Sequence, residues 1–143
     1  MMFNETKRTV TVEIDVVTGP NVHTVNEWIQ FVSHPGVRPH IFVERYVPRQ
    51  RLNTDERMVK AEGEFVTHLK GAKWIRNTGS KQVIKPELMQ LLGVWQFPVS
   101  THHQDLRAAA RIALFGMTKD PALNAWLADL VRDTLEGKPW RVQ

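Results

Sequence analysis

A glutamate interrupts an otherwise apolar run, Ile41-Phe42-Val43-Glu44-Arg45-Tyr46-Val47. The length of the run and its β-branched and aromatic content match a buried strand. An ionised carboxylate is costly to bury unless it is paired or holds a cation. The run therefore demands a layered fold around it and singles out Glu44 as the position expected to carry chemistry. The structural alternative is a buried ion pair, with Arg111 of a later Ala-rich helix as the partner.

The rest of the chain supplies the layers. Val10, Val12, Ile14 and Val16 alternate with Thr9, Thr11, Glu13 and Asp15, which predicts a half-buried strand over residues 9–17. Thr24 and Glu27 have capping-box spacing, and Val25, Trp28, Ile29 and Val32 form a helical stripe that Pro35-Gly36 ends. The Glu44 strand stops before Pro48, and a basic loop with Arg49 and Arg51 follows. Asn53 or Thr54 then caps a helix whose buried side would be Met58, Val59, Ala61, Phe65, Val66 and Leu69. Lys73-Trp74-Ile75-Arg76 reads as a short strand, and residues 85–92 as a helix with Pro86 in its first turn.

Residues 94–100 read as a loop, Thr101 as the cap of a helix over residues 105–117, and Pro121 as the start of a last helix ending near Leu135. The order of strands and helices predicts an α/β fold. A chain of 143 residues fits one domain, placed at residues 1–137 with a loose tail at 138–143. Trp28, Trp74, Trp95 and Trp126 are expected in the core.

There is no cysteine, which excludes disulfides and thiolate metal sites. Neither a signal peptide nor a membrane-length apolar segment is visible, so a cytoplasmic protein is expected. The net charge is +4 and unevenly spread: residues 45–85 hold ten Lys or Arg against four Asp or Glu. Such an excess fits a polyanionic partner, or equally a solvated basic surface.

His102-His103-Gln104-Asp105 stands at a predicted helix start. With a strand carboxylate it forms a donor set for a divalent metal, and magnesium favours carboxylate and water oxygens. The same residues also have plain uses: the histidines as exposed or capping groups, Asp105 as a favourable charge at a helix N-terminus.

From His40 to Met117 the chain resembles the RuvC-like Holliday-junction resolvases of the RNase H-like superfamily, in particular the short versions of actinobacterial phages. Phe42-Val43-Glu44-Arg45-Tyr46 is similar to the family's apolar-apolar-Glu-Arg-aromatic strand. Lys81-Gln82-Val83-Ile84-Lys85, with residues 87–95, is similar to the segment before the last catalytic helix, and residues 103–114 to that helix. The resemblance implies an RNase H-like mixed sheet flanked by helices and a magnesium- or manganese-dependent endonuclease acting on branched DNA. It further implies a homodimer, working in the host cytoplasm if phage-encoded. Glu44 and Asp105 would hold metal, His102 or His103 would assist, and Arg45, Arg49, Arg51, Lys81 and Lys85 would contact DNA.

Two features depart from the family pattern. The family's first strand ends in an Asp, and nothing here matches it. Residues 8–17 instead resemble the third strand, so an N-terminally shortened domain is expected. In the last helix, aligning Arg111 with the family arginine puts Asp105 first and Ala108 second at the acidic positions. A shift of one turn gives His102 and Asp105 instead. The alternative to an active nuclease is a degenerate relative that binds nucleic acid or protein without cutting.

Overall fold

The computed structural model of the chain describes residues 2–4, 9–11, 22–32, 39–45, 60, 63, 64, 67, 69, 71–137 and 141–142. The fold is mixed α/β. It divides into two compact units, Asp15–Arg76 and a second made of Met1–Ile14 with Asn77–Gln143.

In the first unit, α1 (Val22–Val32) is amphipathic: Val25, Trp28 and Ile29 are half-buried, whereas Glu27, Gln30 and Phe31 are exposed. The helix begins two residues before Thr24, so Thr24 lies inside its first turn rather than capping it. Strands β3 (Phe42–Glu44) and β4 (Lys73–Ile75) pair in parallel, with Phe42 opposite Lys73 and Glu44 opposite Ile75. The ladder is closed at its ends by Lys73 N–H to the Ile41 carbonyl and Arg45 N–H to the Ile75 carbonyl, each 2.8 Å. The Lys73 ammonium also sits over the opposed Phe42 ring, 5.9 Å from its centroid.

This corrects the first expectation about Glu44. The described strand has three residues, and Glu44 is its last, exposed one, while Phe42 and Val43 are only half-buried. A carboxylate at a strand end keeps its water, so no buried partner is required. Of the helix expected after Asn53 or Thr54, residues 60, 63, 64 and 67 are helical, and Leu69 is buried as predicted. Met58, Val59, Ala61, Phe65 and Val66 lie outside the described residues.

In the second unit, β1 (Met2–Asn4), β2 (Thr9–Thr11) and β5 (Arg141–Val142) form a sheet in the order β1-β2-β5. The first pair is antiparallel and the second parallel, with Val10 opposite Val142. The C-terminal tail, expected to be loose, thus contributes a strand: its backbone groups satisfy those of β2. The alternating residues 12–17 fall outside the described residues.

The helical core of this unit is built from α2 (Ser80–Val83), α3 (Pro86–Leu91), α4 (His103–Thr118) and α5 (Pro121–Leu135). Helix α2 did not show in the sequence pattern. It is a single turn entered from Gly79 at φ 83°, and it buries Ser80, whose hydroxyl donates to the Asn77 side-chain oxygen.

Helix α3 starts on Pro86, which needs no N–H there. It ends in a Schellman motif. Gly93 adopts φ 74°, its N–H bonds the Gln90 carbonyl at 3.1 Å, and Val94 N–H bonds the Met89 carbonyl at 2.9 Å. Met89 and Val94, the two residues that the motif's wider-spanning hydrogen bond joins, are both buried.

The Ala-rich α4 packs against α2 and α5 and buries Leu106, Ile112, Leu114, Phe115 and Met117. Alanine loses no side-chain entropy in a helix and allows close approach. Asp120 caps α5, accepting from Ala122 N–H at 3.0 Å and Leu123 N–H at 3.3 Å. The four tryptophans predicted to be core are all half-buried. Among the described residues no helix is long and apolar enough to cross a membrane.

Candidate functional site

The residues singled out in the sequence fall into both units: Glu44 and Arg45 in the first, His102, His103, Asp105, Lys81 and Lys85 in the second. Arg49 and Arg51 lie outside the described residues.

Glu44 is positioned by backbone alone. Its neighbours' hydrogen bonds to β4 fix the strand, and the side chain forms no ion pair among the described residues. It ends a parallel strand, and in α/β sheets ligands gather outside the carboxyl ends of such strands. Arg111, the conjectured buried partner, instead gives its Nε–H to the Ile84 carbonyl at 3.2 Å.

The start of α4 is organised differently from the expectation that Thr101 caps it. The cap position is His102, in the left-handed region at φ 64°, ψ 19°, with no side-chain cap bond. Its carbonyl accepts the first helical hydrogen bond, from Leu106 N–H at 3.0 Å. A non-glycine residue at positive φ is uncommon, and such strain concentrates at functional positions. Here it places the His102 ring beside the next turn, where Nδ1 lies 3.2 Å from Asp105 Oδ2.

The carboxylate can only accept from His102, so Nδ1 carries the proton and Nε2 keeps a lone pair in the neutral ring. Both side chains are well exposed, 46% for His102 and 81% for Asp105. A carboxylate-oriented histidine of this kind serves either as a metal ligand or as a proton acceptor. His103 donates from Nε2 to the Val99 carbonyl at 2.7 Å, and its ring stands 6.4 Å from Phe97. Each histidine thus uses one ring nitrogen on an acceptor and keeps the other, and His102 is the more exposed of the two.

Among the described residues, no three His, Asp or Glu side chains gather into a group that would hold a metal by itself. Glu44 in the first unit and Asp105 in the second are each exposed carboxylates, the donor type that magnesium takes alongside water.

Two of the basic residues, Lys81 and Lys85, lie at the α2–α3 corner. Lys81 and Lys85 are exposed, the latter at the cap of α3. Sequence reasoning missed Arg107. Its Nε–H bonds the Trp95 carbonyl at 2.6 Å, and its guanidinium lies 4.0 Å from the centroid of the Trp95 indole. The available signal was the four-residue spacing of Arg107 and Arg111 in a helix otherwise lined with alanine. Comparison with protein-family models, with curated proteins and with solved structures finds no match to this chain.

Proposed function

We propose that this chain is a RuvC-like, RNase H-like endonuclease that hydrolyses phosphodiester bonds in branched DNA with magnesium, or manganese in its place, as a homodimer. The observation that carries the reading is the His102–Asp105 pair at the head of α4, at the place in the motif order where the resemblance puts metal-binding residues. Glu44 supports it as an exposed carboxylate at the end of a parallel strand.

Glu44 in the first unit and Asp105 in the second are each proposed as a metal-binding carboxylate, as the resemblance assigns them, and a bound magnesium ion would supply an activated water and neutralise phosphate oxygens. Asp105 keeps the proton of His102 on Nδ1, which leaves Nε2 to take a proton or a ligand position. Lys81 and Lys85, together with Arg45, Arg49 and Arg51, would bind the phosphate backbone. Two copies would cut two strands symmetrically.

The test is cleavage of a labelled four-way DNA junction by the full chain in magnesium, alongside Glu44→Gln. Wild-type protein should cut, and the variant should bind without cutting. Equal cleavage by the variant would overturn the assignment of Glu44.

A second reading, a relative that binds DNA without cutting, is favoured by the half-buried Arg107 and Arg111 of α4, whose positive charges attract an anion without any metal. It expects junction binding in EDTA that is unchanged in Glu44→Gln, and no cleavage in magnesium.

A further inference from the structure

Arg107 and Arg111 occupy successive turns of α4, so their Cβ atoms are neighbours on the helix surface, about 5–6 Å apart. Each is held by the same device. Nε–H donates to a backbone carbonyl outside the helix, Trp95 for Arg107 and Ile84 for Arg111. These carbonyls flank α3 on either side, so the two arginines fasten both ends of that short helix to α4. Stacking over the Trp95 ring fixes the plane of Arg107 as well.

The fastening uses one donor of five on each guanidinium and leaves the four η N–H groups. Neither arginine has an ion pair among the described residues. Asp105, the acid nearest in sequence, is turned to His102. Exposed Glu87 of α3 pairs with neither arginine. Both arginines are half-buried. Lys85 adjoins the residue that anchors Arg111, and Lys81 lies on α2, which packs on α4.

If fastening α3 were the whole role, one N–H per site would suffice. A guanidinium already immobilised through Nε loses little further freedom on binding, and its η pair matches the two oxygens of a phosphodiester. We propose that Arg107 and Arg111 are a preset pair of phosphate clamps that grip two phosphates along one DNA strand. The proposal rests on the nucleic-acid reading above and names where the backbone is held.

The test is the salt dependence of junction binding in EDTA, measured for full-length wild type, Arg107→Gln with Arg111→Gln, and Arg107→Lys with Arg111→Lys. Ionic strength runs from about 50 to about 200 mM, and thermal unfolding of each variant is recorded in parallel. Each lost phosphate contact lowers the slope of log K against log salt by about 1, so the Gln pair is expected to lower it by about 2. The Lys pair should keep the slope and bind more weakly, because charge remains but the bidentate fork is gone.

A role confined to fastening α3 would lower the melting temperature and leave the slope of the folded Gln variant unchanged, and that result overturns the clamp. Should the Gln pair fail to fold, undiminished affinity in the Lys pair overturns it equally. Absence of junction binding by wild type would overturn the nucleic-acid reading itself, and the clamp with it. Binding by wild type with an unaltered slope in the Gln pair removes the clamp alone.

Discussion

Asp105 Oδ2 and His102 Nδ1 meet at 3.2 Å across the first turn of α4, and the contact is made by a histidine whose backbone is left-handed. Strain and side-chain contact belong to one arrangement: the positive φ that costs stability puts the ring where Asp105 can hold it. An exposed histidine–carboxylate contact of this kind contributes roughly 0–1 kcal/mol, while a left-handed non-glycine residue costs about 1–2 kcal/mol. The pair does not offset the strain, so its value lies in the orientation of His102.

That balance predicts opposite directions for stability and activity. His102→Gly removes the left-handed penalty at the expense of about 0.4–1 kcal/mol of unfolded-chain entropy. His102→Ala keeps the penalty and loses the imidazole. The Gly variant should therefore be more stable than the Ala variant by about 0.5–1 kcal/mol, read from denaturant midpoints. Both should lose junction cleavage. A glycine variant less stable than the alanine variant would contradict the strain at this position.

The exposure of Glu44 yields a second prediction. A glutamate buried in a strand would make Glu44→Gln a large perturbation, since a partner charge would be stranded at about 3–5 kcal/mol. At the exposed end of β3 the substitution should change stability by less than about 0.5 kcal/mol, even where it abolishes cleavage. Chemical unfolding of the variant with and without magnesium checks this, and a large loss in the absence of metal would restore the buried reading.

Glu44 also shows where the sequence was legible and where it was not. Periodicity located α1, β4, α3, α4 and α5, because their apolar stripes and their breakers, Pro86 and Pro121, act locally. It also read the apolar run at residues 41–47 as a strand, but a run carries no information about where pairing stops, and the described pairing stops at Glu44. The C-terminal strand was hidden for a similar reason: Arg141–Val142 pairs with β2 across almost the whole chain length, a contact with no local signature.

At the candidate site, residue types were legible and roles were not. His102 and His103 look equivalent as neighbours, yet a carbonyl at Val99 takes one and a carboxylate at Asp105 orients the other. Arg107 was marked in sequence only by its spacing from Arg111, because its partner Trp95 lies twelve residues away.

The end of α3 offers a third prediction. Gly93 sits at φ 74°, and a Cβ built there meets nothing within 4 Å, so the cost of Gly93→Ala comes from backbone conformation and not from crowding. The loss should be about 1–2 kcal/mol. Asn tolerates the left-handed region better than Ala, so Gly93→Asn should lose less. Equal losses for Ala and Asn would show that something other than the torsion decides.

The start of α5 gives the last. The Asp120 carboxylate accepts from two backbone N–H groups that the helix cannot satisfy itself, those of Ala122 and Leu123. Pro121 follows at the first helical position, where its missing N–H is no loss. Asp120→Ala leaves both donors without that partner and should cost about 1 kcal/mol. Asp120→Asn retains an accepting side-chain oxygen and should cost much less. The consequence extends beyond the cap, because α5 packs on α4 and buries Leu123, Leu127 and Leu130. Fraying at Asp120 should therefore raise amide hydrogen exchange first in the turn containing Leu123, before the middle of α4 responds. Equal protection of that turn in wild type and Asp120→Ala would mean that tertiary packing, and not the cap, holds the start of the helix.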